Sequence, residues 1–200
     1  MESSTPLKSV GCGVVATLVT MGALAALFIL PAPTAYARES GWKVTRQDEN
    51  PRVYAVTEPS ASNLNVKLVV LSCEEVDNQK ALQLQIYPSN RGPLLPVGSK
   101  RNQMKEDPRA EIVIDGHTYP VTLSFGGQYA LLHDREEELL PVLSSTLLQA
   151  METGHTMLLR FDIVGEAVGQ PPEFDGELRI DLVAGQGGEA VAAVRRGCAK

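Results

Sequence analysis

No run of basic residues occurs in this chain, whose formal charge is −6. Binding a phosphate backbone requires clustered lysine and arginine, so the sequence excludes nucleic acid as a partner. The same charge balance opposes attachment to an anionic membrane surface. Catalytic signatures are missing as well: no Gly-x-Ser-x-Gly elbow, dinucleotide fingerprint or phosphate-cradling loop follows a strand-like segment. Gly185-Gln186-Gly187-Gly188 precedes a helical stretch but lacks the Lys-Ser/Thr ending and the βαβ setting of a phosphate loop. The three histidines, His117, His133 and His155, have no i, i+4 pair and read as exposed polar residues, so neither metal nor cofactor is expected. Acidic pairs do exist, among them Glu74-Glu75, Asp107 with Asp115, and Glu173 with Asp175. Nothing in the sequence selects one of them for glycosidase-type chemistry. Internal repeats and a dividing linker are absent too.

Cysteine is scarce, and its placement is informative: Cys12, Cys73 and Cys198 are the only three. Lys8 is the only positive charge before an uncharged stretch from Ser9 to Ala37, with an apolar centre at Val14–Leu30. Pro31-Ala32-Pro33 then stops any helix, and Ala35-Tyr36-Ala37 supplies the small-x-small pattern cut by signal peptidase. Residues 1–37 are therefore expected to be a signal peptide and residues 38–200 a single exported domain, periplasmic or secreted. An uncleaved segment would instead tether the domain to a membrane. A lipid anchor does not fit, because Cys12 precedes most of the apolar stretch. Cleavage removes Glu2 and Lys8, one charge of each sign, and takes Cys12 away. Cys73 and Cys198 remain in a compartment where thiols oxidise, so a Cys73–Cys198 disulfide is the expectation.

The exported part is long enough to bury roughly 70 per cent of its unfolded surface without a dense disulfide framework. Trp42, the only tryptophan, is expected to cover one end of the core. Val53, Tyr54 and Val56 suggest an edge strand. Leu64–Cys73 reads as a central strand with Val66, Leu68 and Val70 on one face, and Val69 and Leu71 giving partial cover on the other. Ala81–Tyr87 alternates, placing Leu82, Leu84 and Ile86 inward and Gln83 and Gln85 toward water. Asp77-Asn78 supplies hairpin chemistry between these two strands, and Asp115-Gly116 joins Glu111–Ile114 to Tyr119–Phe125.

Pro88–Pro108, rich in proline, lysine and arginine, reads as a long exposed connection with room for a short strand near Leu94–Val97. Loops of that length carry function, so Arg91, Lys100 and Arg101 are candidate partner contacts. Leu139–Met151 takes a helical period, with Pro141 in the first turn and Gly154 as the stop. The acidic Asp134–Glu138 cluster ahead of it would complement the helix dipole. Met157–Val164 and Glu177–Val183 return to alternation, and Glu189–Arg196 forms a short terminal helix ending at Gly197-Cys198. Six or seven strands and two helices predict a mainly β (α+β) domain: an antiparallel, sandwich-like sheet with one internal helix and a short C-terminal one.

The order of Trp42, a strand ending in Cys73, Leu82-x-Leu84-x-Ile86, Phe161-x-Ile163 and a terminal Ala/Val helix closing on Cys198 resembles small exported bacterial proteins. These are of the invasion-associated locus B type and the type VI secretion accessory type. The resemblance implies a periplasmic β-sandwich with a binding or assembly role and no catalytic residues. The function expected is non-enzymatic binding of another protein or an envelope component. The alternatives are an envelope hydrolase whose acidic residues converge in the fold, or an inhibitor of a secreted enzyme that inserts the Ser89–Pro108 loop.

Overall fold

The computed structural model describes residues 41–47, 50–89, 92–137, 140–165 and 173–199, with only the backbone at 46, 47 and 50–52. Residues 1–37, and with them the expected export signal, lie outside the described residues, as does Arg91. The domain is mainly β. Its strands are β1 (Lys43–Gln47), β2 (Asn50–Thr57), β3 (Ala61–Ser62), β4 (Val66–Val76), β5 (Gln79–Pro88), β6 (Met104–Ile114), β7 (His117–Phe125), β8 (Ala130–His133), β9 (Arg135–Glu137), β10 (Leu140–Val142), β11 (Thr156–Val164) and β12 (Gly176–Asp181). Two helices complete it, α1 (Ser145–Thr153) and α2 (Gly187–Cys198). Among the described residues this makes twelve strands, more than the six or seven expected, because several are two to four residues long and carry no readable alternation.

Ten strands form one antiparallel sheet in the order β1-β2-β4-β5-β8-β7-β6-β11-β12-β3, while β9 and β10 pair as a separate hairpin. β3, at one end of that order, is joined by Asn63–Asn65 to β4, which stands third from the other end. Three residues span only about 10 Å, so the sheet has to curl until its two ends approach. The Leu64–Pro96 bridge closes that corner.

The core fills the inside of the curl. β4 and β5 contribute Leu71, Leu84 and Ile86, and β11 adds Leu159, Phe161 and Ile163. The inner face of β4 is Val69 and Leu71, both fully buried, so Leu68 and Val70 lie on the opposite, half-exposed side. This reverses the expected weighting, since alternation separates two faces without saying which one meets the core. The hairpins form where expected: Asp77 and Asn78 take φ of 52° and 65°, and Asp115 and Gly116 take 47° and 86°, the positive values a tight two-residue turn requires.

The internal helix starts later than its period suggests. Pro141 lies in β10 opposite Glu136, and the Leu143 N–H donates to the Leu82 carbonyl at 2.9 Å. A residue preceding proline is pushed toward extended geometry, which favours a strand at Leu140. Ser144 then caps α1, its Oγ accepting from the Leu147 N–H at 3.2 Å, while its own N–H donates to Asp134 Oδ1 at 2.6 Å. The acidic cluster therefore does not act on the helix dipole through its first turn: Arg135–Glu137 form β9, and Asp134 holds the cap from outside. Gly154 does end α1, and a Cβ there would meet Ile114 Cγ2 at 2.5 Å.

At the other end Trp42 is buried, 2% exposed. α2 presents Ala190, Val191 and Val194 to the core, and Cys198 closes the disulfide to Cys73. In the first turn of this helix a Cβ at Gly188 would drive into the Glu152 carbonyl of α1, and Gly187, which opens the helix, is confined in the same way by the Leu182 carbonyl. The glycines of 185–188 thus serve close helix packing. Gly188→Ala is expected to cost about 1–3 kcal/mol through that clash. Thermal unfolding should show a drop of several degrees, and a variant melting with wild type would contradict the packing.

Candidate functional site

Because Val69 and Leu71 point inward, the outward side of β2, β4 and β5 presents apolar groups to solvent. Val56 stands beside Val70 across the strands, Tyr54 beside Ser72, and Leu68 beside Tyr87. These residues line a groove of about 400 Å³, the size of a small-ligand cleft or of the seat for one anchoring side chain.

The groove also carries a polar strip. The Tyr87 hydroxyl donates to Gln85 Oε1 at 2.9 Å, and Gln85 Nε2 donates to Glu74 Oε1 at 3.3 Å and to Gln83 Oε1 at 3.4 Å. Burial pushes the Tyr87 hydroxyl above its ordinary range, with Tyr129 and Glu74 adding to the push. Tyr129 also leans on the ring, with centroids 5.5 Å apart. Ser72 differs from its neighbours: it is 6% exposed, lines the groove, and its Oγ has no hydrogen-bond partner. A buried hydroxyl without a partner costs roughly 1–3 kcal/mol, so such groups are rare away from functional positions.

Gln83 and Gln85 are buried, contrary to their expected exposure. The cause is the β9–β10 hairpin, which folds against the outer side of β5 and β8; Gln83 Nε2 donates to the Pro141 carbonyl at 3.1 Å. His133 is buried on the same side, only 2% exposed, with Nδ1 3.3 Å from the Arg135 carbonyl and Nε2 3.4 Å from Ser124 Oγ. The expectation that all three histidines are exposed therefore fails at His133. His155 is exposed, and its Nδ1 pairs with Asp115 Oδ2 at 3.1 Å. Asp115 also accepts the backbone N–H groups of Thr156 and His155, which hold its carboxyl below the ordinary range.

Lys100 and Arg101 are exposed, but neither lines the groove. Their segment is less free than a protruding loop: Leu94 and Leu95 are buried, Leu95 N–H donates to Asn65 Oδ1 at 2.8 Å, and β6 begins at Met104. The expected long connection is thus tied to the domain at Leu94 and Leu95 and ends at Met104, not at Pro108.

A second polar cluster was not legible in the sequence. Asp162, fully buried on β11, is held by Lys105 Nζ and by the Arg109 guanidinium, whose Nε donates at 3.0 Å. Asp162 pairs with Arg109 in the ladder, yet Val164 pairs with Met104, so two steps along β11 face five along β6. Pro108, which cannot donate to a ladder, lies in that bulge. The surplus residues leave the ladder and bring Lys105 onto the carboxylate.

Asp175 accepts the N–H groups of Val164 at 2.7 Å and Ile163 at 3.0 Å through Oδ2, while its buried Oδ1 has no partner. Burial, joined by the Asp162 charge, raises this carboxyl above the ordinary aspartate range. A raised folded-state value means that the native protein holds the proton more tightly than the unfolded chain does. That contribution is present below the unfolded value and is lost as pH rises through the folded one. Asp175→Asn keeps an acceptor for both N–H groups. Its melting temperature relative to wild type is expected to improve as pH rises from about 4 to 6; parallel curves across that range would refute the assignment.

Of the acidic pairs considered from sequence, Glu74 binds Gln85, Asp115 brackets a turn, and Asp175 lies beside Asp162. Among the described residues no three His, Cys, Asp or Glu side chains gather to hold a metal ion, and no helix is long and apolar enough to cross a membrane. Comparison with protein families, curated proteins and solved structures finds no match to this chain.

Proposed function

We propose that this chain is a non-enzymatic exported domain, periplasmic or secreted, which binds another protein or an envelope component through the β2–β4–β5 groove. The observation that carries this reading is the buried, unpartnered Ser72 hydroxyl within an apolar, tyrosine-edged cleft. Half-exposed Val56, Leu68 and Val70 gain by being covered, at roughly 25 cal/mol per Å² of apolar surface. The carboxylates offer less support for hydrolysis: Asp162 is engaged by two cations, and Asp115 by backbone N–H groups. The Cys73–Cys198 bond accords with an oxidising compartment. Lys100 and Arg101, together with Arg91, remain proposed as auxiliary contacts at the edge of such a complex.

A photo-crosslinking amino acid placed at Tyr54, with one at exposed Val183 as control, tests the reading in the native envelope. A discrete adduct is expected from position 54 only, and Val70→Lys should abolish it without lowering the melting temperature. Equal labelling from both positions, or none from position 54, would overturn the assignment of the groove.

A further inference from the structure

The buried cluster between β6 and β11 brings an amine against a carboxyl group. Lys105 Nζ is held on Asp162 Oδ1, and the Arg109 guanidinium occupies Oδ2, so the lysine nitrogen lies beside the carboxyl carbon of its neighbouring strand. The β6 bulge is what allows this approach, and bulges commonly re-aim a side chain at a reacting position. Side-chain exposure is 1% at Asp162 and 15% at Lys105, so little water competes for either group. A third group stands close by. The charges of Asp162 and Lys105 both act on the Asp175 carboxyl, which burial keeps protonated to higher pH than an ordinary aspartate. Its Oδ1 is buried and has no hydrogen-bond partner.

We propose that Lys105 and Asp162 condense to an isopeptide bond inside the folded domain, with Asp175 carrying the protons. A proton first passes from the Lys105 ammonium to Asp162 Oδ1, which turns two buried charges into a neutral amine and a neutral acid. The Nζ lone pair then adds to Cγ, and Arg109 stabilises the electron pair displaced onto Oδ2. That pair returns to Cγ as the Cγ–Oδ1 bond breaks; protonated Asp175 gives its proton to the leaving Oδ1 hydroxyl and recovers one from nitrogen. An ammonium and a carboxylate thus yield one amide and one water, with Asp175 unchanged and no oxidant or activating group consumed. Two effects favour the step. Burial penalises the charged pair and not the amide that replaces it, and groups held in reacting geometry reach effective concentrations of about 10⁵ M and above. The product ties β6 to β11 beside their ladder, independently of the disulfide.

Mass spectrometry of the protein isolated folded from its natural host, then denatured and with its disulfide reduced, reads the bond directly. The wild-type chain should weigh one water less than the sequence from its own N-terminus, and protease digestion should release a branched peptide joining the Lys105 and Asp162 segments. Lys105→Arg keeps the positive charge but cannot form this bond, and Asp175→Asn keeps an acceptor for the Ile163 and Val164 N–H groups. Both variants should show the wild-type circular dichroism and their full mass. A wild-type chain of full mass would overturn the proposal. So would a loss of water without the branched peptide, the result if Asp115-Gly116 had cyclised instead. A branched peptide formed by Asp175→Asn to the wild-type extent would leave the bond standing and overturn the part given to Asp175.

Discussion

Serine in place of Cys198, or reduction of the Cys73–Cys198 bond, should lower the unfolding free energy by about 5 kcal/mol. The two cysteines are 125 residues apart in sequence, and in the chain-entropy treatment a cross-link closing so long a loop removes about that much freedom from the unfolded ensemble. For a domain of this length each kcal/mol moves the midpoint by about 2–4 °C, so a fall of roughly 10–20 °C is expected. Reduced wild type and Cys198→Ser should melt together, since both lose the same constraint. A reduced protein melting within two degrees of the oxidised one would show that the bond contributes little. The effect is large against the 5–15 kcal/mol that typically separates folded from unfolded domains.

Asp162→Ala should be the next most damaging single change, at about 3–5 kcal/mol. The carboxylate is fully buried and receives both Lys105 and Arg109. Its loss takes from Lys105, whose side chain is only 15% exposed, the carboxylate it pairs with on β11, and leaves the Asp175 carboxyl nearby as a weaker counter-charge. Denaturant unfolding of Asp162→Ala and of Asp162→Ala with Lys105→Met separates the two contributions. The second substitution should recover part of the loss, because removing both ends of a buried pair is cheaper than removing one. A single variant within 1 kcal/mol of wild type would refute a structural role for the cluster.

Both effects bear on how much of this molecule could be read from its sequence. Local chemistry was legible: the Asp77-Asn78 and Asp115-Gly116 turns, the inward Leu84, Ile86, Phe161 and Ile163, the terminal helix and its disulfide all stand where spacing placed them. The outer surfaces were not. Alternation assigns Gln83, Gln85 and Asp162 to the side away from the core, and there they lie. Their burial comes from elements remote in sequence: the β9–β10 hairpin over β5, and the β6 bulge that brings Lys105 over β11. Pro108 was the one sequence signal of that bulge, and it read equally well as loop. The groove had no signal at all, because Leu68 and Val70 are indistinguishable from core valines and leucines until Val69 and Leu71 are seen to take the inside. Lys100 and Arg101 drew attention by their place in a long, basic connection, and they sit apart from it.

The ladder of β3 with β12 joins Ser62 to Leu178, and the sulfur of Cys73 waits for that of Cys198. During synthesis, the early strands cannot complete their ring until the chain has been made nearly to its last helix. Non-local closure of this kind is slow, so the curl is completed late in folding, after the hairpins that make up most of the sheet.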